Sequence, residues 1–406
     1  MANSFSFNQV ATILTAIAKQ ATGIENISVT DTSSFVTVAR KTLSVGYDPI
    51  YNAINQVIAK TIFSNRAYSR KFGGLMVDRQ KWGAVTRKIS FGDTDPQTND
   101  EYSLTDGGSV DPFKISKAKP VQYNYFGRET YKRADTTFEN QLDVAFRGPD
   151  EFAAFLAAKT QNIYNQREQD LEIFARGTVA NLIGGVISKG KQTQVVHLLT
   201  EYNAITGLAL TDETVYQPEN FIPFTKWVYS RIAAVSSLLS ERSNQYHFDV
   251  TGDPVIMRHT PENRQKVYLY APTQYQISAQ VLADVYHDNY LRYADHESVN
   301  YWQAIQTPDT INVTPSVLDP ETGNVTKADA VNQGNIFGVI FDEEAAGMTE
   351  TDTAVRTQVN AAGRYTNTFW FYTFQNWNDF TENYIVDTKG EVRWYLDYQK
   401  FYDRSE

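Results

Sequence analysis

The sequence contains no cysteine among its 406 residues. Disulfide bonds and thiolate metal sites are therefore excluded, and the fold cannot depend on the redox state of its compartment. No uninterrupted apolar run approaches the roughly 18 residues that a membrane-spanning helix needs. The first residues carry no basic charge ahead of their apolar stretch, so we expect neither a secretory signal nor a membrane partner.

Basic charge is in short supply. Lys and Arg total 37 against 47 Asp and Glu, which gives a net charge of −10. Proteins that grip nucleic-acid phosphates are typically basic, because the release of counterions drives that binding. This balance argues against tight DNA binding and is compatible with a container that touches DNA only loosely. The 25 Tyr and 23 Phe suit either a large core or large subunit interfaces.

Motifs of catalysis and of cofactor binding are also missing. The histidines are scattered, and even His287 and His296, which have acidic neighbours, favour a polar surface over a metal site. Residues 185–191 have the glycine and lysine spacing of a phosphate-binding loop. Gln192 stands where that loop needs Ser or Thr, and the run follows a predicted helix instead of a strand. We therefore expect no enzyme, cofactor or metal. A nucleotide-binding enzyme built on this run is the alternative from a different class.

Residues 76–130 predict a long two-stranded excursion. The strand-like runs 86–91 and 121–126 flank a segment rich in Asp, Gly, Ser and Thr. The preceding residues, 1–75, contain helical patterns but look like an arm with little core of its own. Free subunits are accordingly expected to be only marginally ordered in 1–75 and 92–115.

Charges in and before this excursion are sorted by sign. The acidic tip comprises Asp93, Asp95, Asp100, Glu101 and Asp106. The basic flank before it comprises Arg66, Arg70, Lys71, Arg79, Arg87 and Lys88. An acidic tip beside a basic flank is complementary between copies of one chain, so the pattern predicts contacts between subunits. An ordinary solvated loop is the alternative.

Residues 149–183 predict one long helix. Pro149 followed by two acids is a helix start signal, because proline tolerates the first turn and acids complement the helix dipole. Apolar residues then keep one face, and Gly184-Gly185 is the predicted end. At ~1.5 Å per residue the helix would be roughly 50 Å long.

The second half of the chain predicts an α+β arrangement. Helical and strand-like runs alternate from 222 to 350, with 305–334 expected as an exposed loop. Residues 364–386 are strongly β-prone and aromatic. A turn signal at 387–390 suggests that 392–398 pairs back on them as a hairpin.

The order of these parts resembles the Hong Kong 97-type fold of tailed-bacteriophage major capsid proteins, over essentially the whole chain. Within that group, the sequence most resembles the capsid proteins of small short-tailed podophages. The resemblance is carried by GPDEFAAFLAAKTQNIYNQREQDLEIFARG (148–177), IFGVIFDEEAAGM (336–348) and RYTNTFWFYTFQNWNDFTENYIV (364–386). These runs are similar to the family's spine helix, a strand with an acidic turn, and a final peripheral strand.

The resemblance implies a division of the chain. Its segments would be an N-arm (1–75), an E-loop (76–130), a P-domain (131–221) with spine helix 149–183, an A-domain (222–350), a returning P-domain strand (351–386) and a C-terminal tail (387–406).

The resemblance also implies a function. Family members form pentamers and hexamers that tile an icosahedral shell around double-stranded DNA. The expected partners are copies of the chain, a separate scaffolding protein, a portal protein at one vertex and loosely held DNA. The expected location is the virion, after assembly in the cytoplasm of a bacterial host. An encapsulin-like nanocompartment shell shares the fold and is the alternative within this class.

Overall fold

A computed structural model describes residues 7–25, 27–47, 49–50, 53–54, 72–77, 85–94, 104–109, 113, 115, 117–126, 128–275 and 296–389. The α-helices are α1 (Phe7–Thr22), α2 (Thr32–Leu43), α3 (Glu139–Ala145), α4 (Pro149–Lys189), α5 (Leu198–Thr206) and α6 (Pro218–Leu239). Short 3₁₀ turns are Gly73–Leu75, Gln192–Gln194, Thr214–Tyr216 and Glu262–Arg264. The first strands are β1 (Val85–Phe91), β2 (Pro120–Phe126), β3 (Glu129–Phe138), β4 (Val195–His197), β5 (Gln265–Tyr270), β6 (His296–Val299) and β7 (Ile311–Val313). The later strands are β8 (Ser316–Leu318), β9 (Val325–Lys327), β10 (Val331–Gln333), β11 (Ile336–Asp342), β12 (Ala346–Asn360), β13 (Tyr365–Asn378) and β14 (Tyr384–Thr388).

The long helix α4 is the axis of the fold. It begins at Pro149 as the sequence predicts, but it runs to Lys189 and has 41 residues. Its length is therefore about 60 Å at 1.5 Å per residue. The most apolar stretch would be long enough to cross a membrane, yet 78% of that stretch is buried inside the protein. Packing in the core accounts for its apolarity.

Two glycines explain why the predicted end of this helix, residue 183, is wrong. A Cβ on Gly184 would lie 2.6 Å from Val313 Cγ1, and one on Gly185 would lie 2.5 Å from the Phe380 ring. The glycines are thus points of close approach inside the helix, where strands and loops pack on its surface. The helix ends at Gly190. The run with phosphate-loop spacing is mostly the last turns of this helix, so it has no loop to cradle a phosphate.

A five-stranded mixed sheet packs beside α4, in the order β4-β14-β11-β5-β6. The central strand β11 is buried along its whole length and antiparallel to both neighbours. Its side chains are shared between two cores: Val339 and Phe341 join the core around α4, whereas Phe337 and Ile340 join a second core with α5 and α6. This burial on both faces explains the continuous apolar run.

A three-stranded antiparallel sheet, β12-β13-β3, lies against α4. Alternate side chains of β13 are buried, including Trp370, Tyr372 and Phe374. The Phe374 ring lies 5.9 Å from that of Phe174 on the helix. The aromatic run thus forms a strand as predicted, with every second ring available to cover the helix.

The N-terminal helices are better packed than the sequence suggested. Leu14 and Ile17 of α1 and Phe35 of α2 are fully buried, and the Phe35 ring lies 5.9 Å from that of Phe152 on α4. Residues 1–75 were expected to have little core of their own, and α1 and α2 bury these side chains in the core that they share with α4. Both helices present an apolar face that α4 covers.

Residues 305–334 also differ from the expected exposed loop. They contain two small antiparallel ladders, β7 with β10 and β8 with β9. Ile311 and Val317 are buried against the core around α4. The short apolar pairs in this polar stretch are too brief to give a clear periodic signal, but α4 offers them a surface.

Candidate functional site

The two-stranded excursion is an antiparallel hairpin whose strands pair from Val85 with Phe126 to Phe91 with Pro120. Successive side chains alternate between its faces. Lys88, Ser90 and Val121 turn towards the body of the protein, whereas Ile89 and Phe91 are exposed on the other face. The hairpin therefore has an anchored face and an outer face.

Lys88 is the centre of the anchored face. Its Nζ lies 2.6 Å from Asp379 Oδ2, pairs at short range with Glu382 Oε1, and is 3.6 Å from Glu344 Oε2. The two nearest carboxylates follow β13, almost three hundred positions away in the sequence. A largely buried ammonium is satisfied here by carboxylates that are themselves buried.

Arg258 supplies a second cation to the same cluster. Its Nη1 lies 3.1 Å from Glu382 Oε1, its Nη2 donates to Ser90 Oγ at 3.0 Å, and its Nε donates to the Thr381 carbonyl at 3.2 Å. The guanidinium thus joins β1 to the segment after β13. Two buried cations face two buried carboxylates, so their formal charges cancel.

The pKa shifts of the cluster have clear causes. Burial alone would lower the pKa of Lys88, but Asp379 and Glu382 outweigh it and hold that pKa above its usual value. Burial opposes the ionisation of Asp379, yet Lys88 and the hydrogen bonds from Thr381 hold its pKa below the usual value. Burial raises the pKa of Glu382 despite the nearby cations. At neutral pH the pair of Lys88 and Asp379 is therefore ionised.

A second attachment lies where the acidic tip begins. Asp93 pairs with Arg242 at short range, and its Oδ2 accepts from the Met257 backbone N–H at 3.0 Å. The Asp93 backbone N–H donates to the Val255 carbonyl at 3.1 Å. A Cβ on Gly92 would lie 2.2 Å from Pro254 Cβ, so the chain passes tightly here. The start of the tip is held against the segment 254–258.

The residues predicted to contact other subunits are thus separated by the structure. Lys88 and Asp93 are engaged within the chain, which revises the expectation that both face a neighbour. Arg87 and Asp106 are exposed. The remaining predicted residues lie outside the described residues: Asp95, Asp100, Glu101, Arg66, Arg70, Lys71 and Arg79.

Several large apolar side chains on the hairpin and its tip are exposed. Ile89 is 58% exposed, Phe91 63%, Phe113 85% and Ile115 77%. Scattered single apolar residues on a surface are ordinary, but a hairpin that presents several is typical of an interaction surface. Because the anchored face fixes the hairpin in place, its outer face is a candidate contact surface between subunits.

The anchoring partners were missed by sequence reasoning. Asp379 and Glu382 lie in the β-prone aromatic run 364–386, and Arg258 lies in the alternating stretch 222–350, where neither pattern indicates a buried ion pair. A chemical signal was available. Asp379 and Glu382 lie at the end of a run of large aromatics, and acids in a segment that packs in a core need buried cations as partners. Which cations they meet depends on long-range pairing.

Metal-site geometry is not found among the residues that the structure describes: no group of three or more His, Asp and Glu side chains converges there. His287 lies outside the described residues, so the weak pairing with His296 is not tested.

Comparison with known proteins decides the family. The sequence matches the model of the Phi29-like phage major capsid protein family over residues 11–381. This chain belongs to that family. No curated protein matches the sequence significantly.

Two solved structures show the same fold as this capsid protein. One is the capsid structure of Staphylococcus phage Andhra, with a TM-score of 0.51 and 12% identity, covering 80% of this chain and 86% of the other. Another, titled as the head fiber and inner core protein gp22 of native bacteriophage P68, gives a TM-score of 0.54 and 11% identity with the same coverage. The capsid protein has the Hong Kong 97-type α+β fold, and it is a structural protein of a tailed-phage virion.

Proposed function

We propose that this capsid protein assembles through pentamers and hexamers into an icosahedral shell that encloses double-stranded DNA. A structural role of this kind requires no catalysis, no cofactor and no metal. Its partners would be copies of itself, a separate scaffolding protein, a portal protein at one vertex and DNA held by loose, non-specific contact. Assembly would take place in the cytoplasm of the bacterial host.

The observation that carries this proposal is the two-faced hairpin. Lys88 and Arg258 hold its anchored face to the body, while Ile89 and Phe91 remain exposed on its outer face. A shell subunit needs a contact element with a fixed orientation, because a symmetric assembly requires each subunit to bind its neighbour at a defined position. Burial of these exposed side chains on a neighbour would stabilise the shell at ~25 cal/mol per Å².

The charge pattern supports the same arrangement. Arg87 and Asp106 are exposed and free to meet a neighbouring copy, as expected for complementary surfaces. We propose that the other acids of the tip, Asp95, Asp100 and Glu101, meet the basic flank of an adjacent subunit. The implied segments (N-arm, E-loop, P-domain and A-domain) fit this scheme, with the E-loop corresponding to the hairpin.

Negative-stain microscopy of the purified protein, with and without a co-expressed scaffolding protein, tests the proposal. Closed isometric particles several hundred ångströms across are expected. If particles isolated from infected cells carry protein cargo instead of DNA, the nanocompartment alternative is favoured. Only monomers or small oligomers under both conditions would contradict shell assembly.

A paired substitution links the particles to the hairpin. Ile89→Ser with Phe91→Ser should prevent closed particles while leaving the subunit folded, because both side chains are exposed in the subunit. Val325→Ser, at an exposed position on the short strand β9, is the matched control and should leave particles intact. Normal particles from the hairpin variant would contradict the proposed role of its outer face.

A further inference from the structure

The chain contains one Asp-Gly pair, Asp106-Gly107, and no Asn-Gly pair. An aspartyl side chain can react with the backbone nitrogen of the residue that follows it, because the product is a five-membered succinimide ring. The side chain of the following residue normally hinders this approach. Glycine has no Cβ, so an Asp-Gly pair presents the least obstructed nitrogen. The pair lies in the acidic tip of the hairpin, where a reaction would change the proposed contact surface.

Asp106 and Gly107 occupy the centre of a turn. The Gly108 N–H donates to the Thr105 carbonyl at 2.8 Å, which closes a turn of four residues. Gly107 has a φ of +85°, a conformation that favours glycine. Beyond its chain neighbours, a Cβ built on Gly107 would meet no atom of the described residues within 4 Å. The turn therefore has open space in which the backbone can rotate.

Both reacting groups are available. All residues from 104 to 109 are exposed. Among the described residues, the Gly107 N–H donates no hydrogen bond and the Asp106 carboxyl group accepts none. The nitrogen can therefore approach the carboxyl carbon without first breaking a contact of either group. Segments with few buried contacts and exposed backbone are also those that rearrange most readily.

We propose that Asp106 of the free subunit converts spontaneously to isoaspartate. In the first step the Gly107 nitrogen attacks Cγ of the protonated Asp106 carboxyl group; a C–N bond forms, and the hydroxyl leaves as water with the proton from the nitrogen. In the second step one water adds back to the succinimide. Addition at the original backbone carbonyl breaks its bond to the nitrogen, so the main chain then continues through Cγ. The reaction needs only water and leaves the mass of the chain unchanged.

The conversion changes the tip in two ways. The main chain gains one methylene group, and the carboxylate moves from the side chain to the α carbon. The turn between Thr105 and Gly108 then has an additional backbone atom, so its geometry is lost. The consequence for assembly rests on the proposed shell, in which the tip contacts a neighbouring subunit. There an isomerised tip fits its partner less well, and conversion limits the time for which a free subunit can assemble.

Peptide mapping of the full-length protein tests the conversion. The endoprotease Asp-N cleaves before aspartate but not before isoaspartate, so the 105–106 bond should become resistant as the soluble subunit is incubated at physiological pH and temperature. Asp329 is the matched internal control, because it is exposed in an irregular segment and is followed by Ala330. Resistance there should develop about tenfold more slowly, since the Ala330 side chain obstructs the nitrogen. Equal rates at the two sites, or no resistance at Asp106, would overturn the proposal.

Two variants test the succinimide route. Gly107→Ala places a methyl group beside the nitrogen and should slow the conversion about tenfold. Alanine is also disfavoured at the positive φ of this position, so a reaction driven only by a loosened turn would become faster instead. Asp106→Asn should react faster than the wild type, with loss of ammonia in place of water and a measurable rise in intact mass. A Gly107→Ala chain that converts as fast as the wild type, or an Asp106→Asn chain of constant mass, would contradict this route.

Assembly of aged protein tests the consequence. Particles formed from partly converted subunits should contain several-fold less isoaspartate than the subunits that remain unassembled. Equal fractions in the two pools would overturn the limit on assembly. If fresh protein forms no particles, the shell proposal is contradicted and this limit with it, whereas the conversion of Asp106 is judged from the free subunit alone.

Discussion

Lys88 Nζ lies 2.6 Å from Asp379 Oδ2, which joins two residues 291 positions apart. Lys88 belongs to the hairpin and Asp379 to the segment after β13, so this contact sets where the hairpin leaves the body. Asp379 is fully inside the protein and also accepts hydrogen bonds from the backbone N–H and the Oγ1 of Thr381. Its charge therefore has few ways to be compensated if Lys88 is lost.

Lys88→Met should release the hairpin. Removing one partner of a buried ion pair leaves an uncompensated charge, so the free energy of unfolding should fall by ~3–5 kcal/mol. Urea unfolding measures that change, and limited proteolysis between residues 85 and 126 measures the freedom of the hairpin. The neighbouring Arg87→Met is the control, because Arg87 is exposed; it should change stability by less than ~0.5 kcal/mol. Equal losses in the two variants would contradict an anchor at Lys88.

Asp387 should make stability depend on pH. It is fully buried in β14, and within the described residues neither of its carboxylate oxygens has a hydrogen-bond partner. Burial raises its pKa to about 7, although Arg231 on α6 acts to lower that pKa. Glu201 on α5 raises it further. The buried Tyr384 hydroxyl also faces this group.

The sign of this effect follows from the raised pKa. The folded state favours the protonated carboxyl, so the contribution of Asp387 to stability is greatest below pH 4 and is lost as the pH rises through about 7. Asp387→Asn removes the charge at nearly constant shape. It should increase the free energy of unfolding by up to ~4 kcal/mol at pH 8 and by little at pH 4. Urea unfolding at both pH values measures this. The exposed Asp329→Asn is the control, and a gain that is the same at both pH values would contradict the prediction.

Substituting alanine for two glycines of α4 should change the stability of the protein in opposite directions. Gly177 has open space where a Cβ would stand, so Gly177→Ala should stabilise the helix by ~0.5–1 kcal/mol. Gly185→Ala places a methyl group 2.5 Å from the Phe380 ring and should destabilise by ~1–3 kcal/mol. Thermal unfolding of both variants checks the pair. Stabilisation by Gly185→Ala would contradict the tight packing of Phe380 on the helix.

Reversal of the acidic tip should block assembly. Asp95, Asp100 and Glu101 changed to Lys would repel the basic flank of a neighbour, so particles should be absent while the subunit stays soluble. The complementary variant reverses Arg66, Arg70 and Arg79 to Glu and should fail in the same way. Combining both reversals in one chain should restore particles in the electron microscope if tip and flank meet, because every tip then faces a flank of opposite charge. Normal particles from the tip variant alone would rule out the charge contact; Asp93 is omitted because it pairs with Arg242.

Much of the fold was predictable because its signals are local. Pro149 with the acids after it marks the start of α4, and the alternation around Lys88 marks β1. The order of helices and strands was sufficient for the family resemblance that the comparisons confirm. The candidate site was predicted only in outline: the hairpin and its charges were recognised, but not which charges were already engaged within the chain.

The sequence by itself determined the period of each element, since helix and strand periodicity depend on neighbours a few positions apart. Only the tertiary structure decided that Lys88 meets Asp379, that α4 continues through Gly184 and Gly185, and that β14 has both edges occupied. These features arise from contacts between segments far apart in the chain. The structural role of a buried charge, or of a glycine within a helix, depends on the surface that packs against it, and the local sequence does not determine that surface.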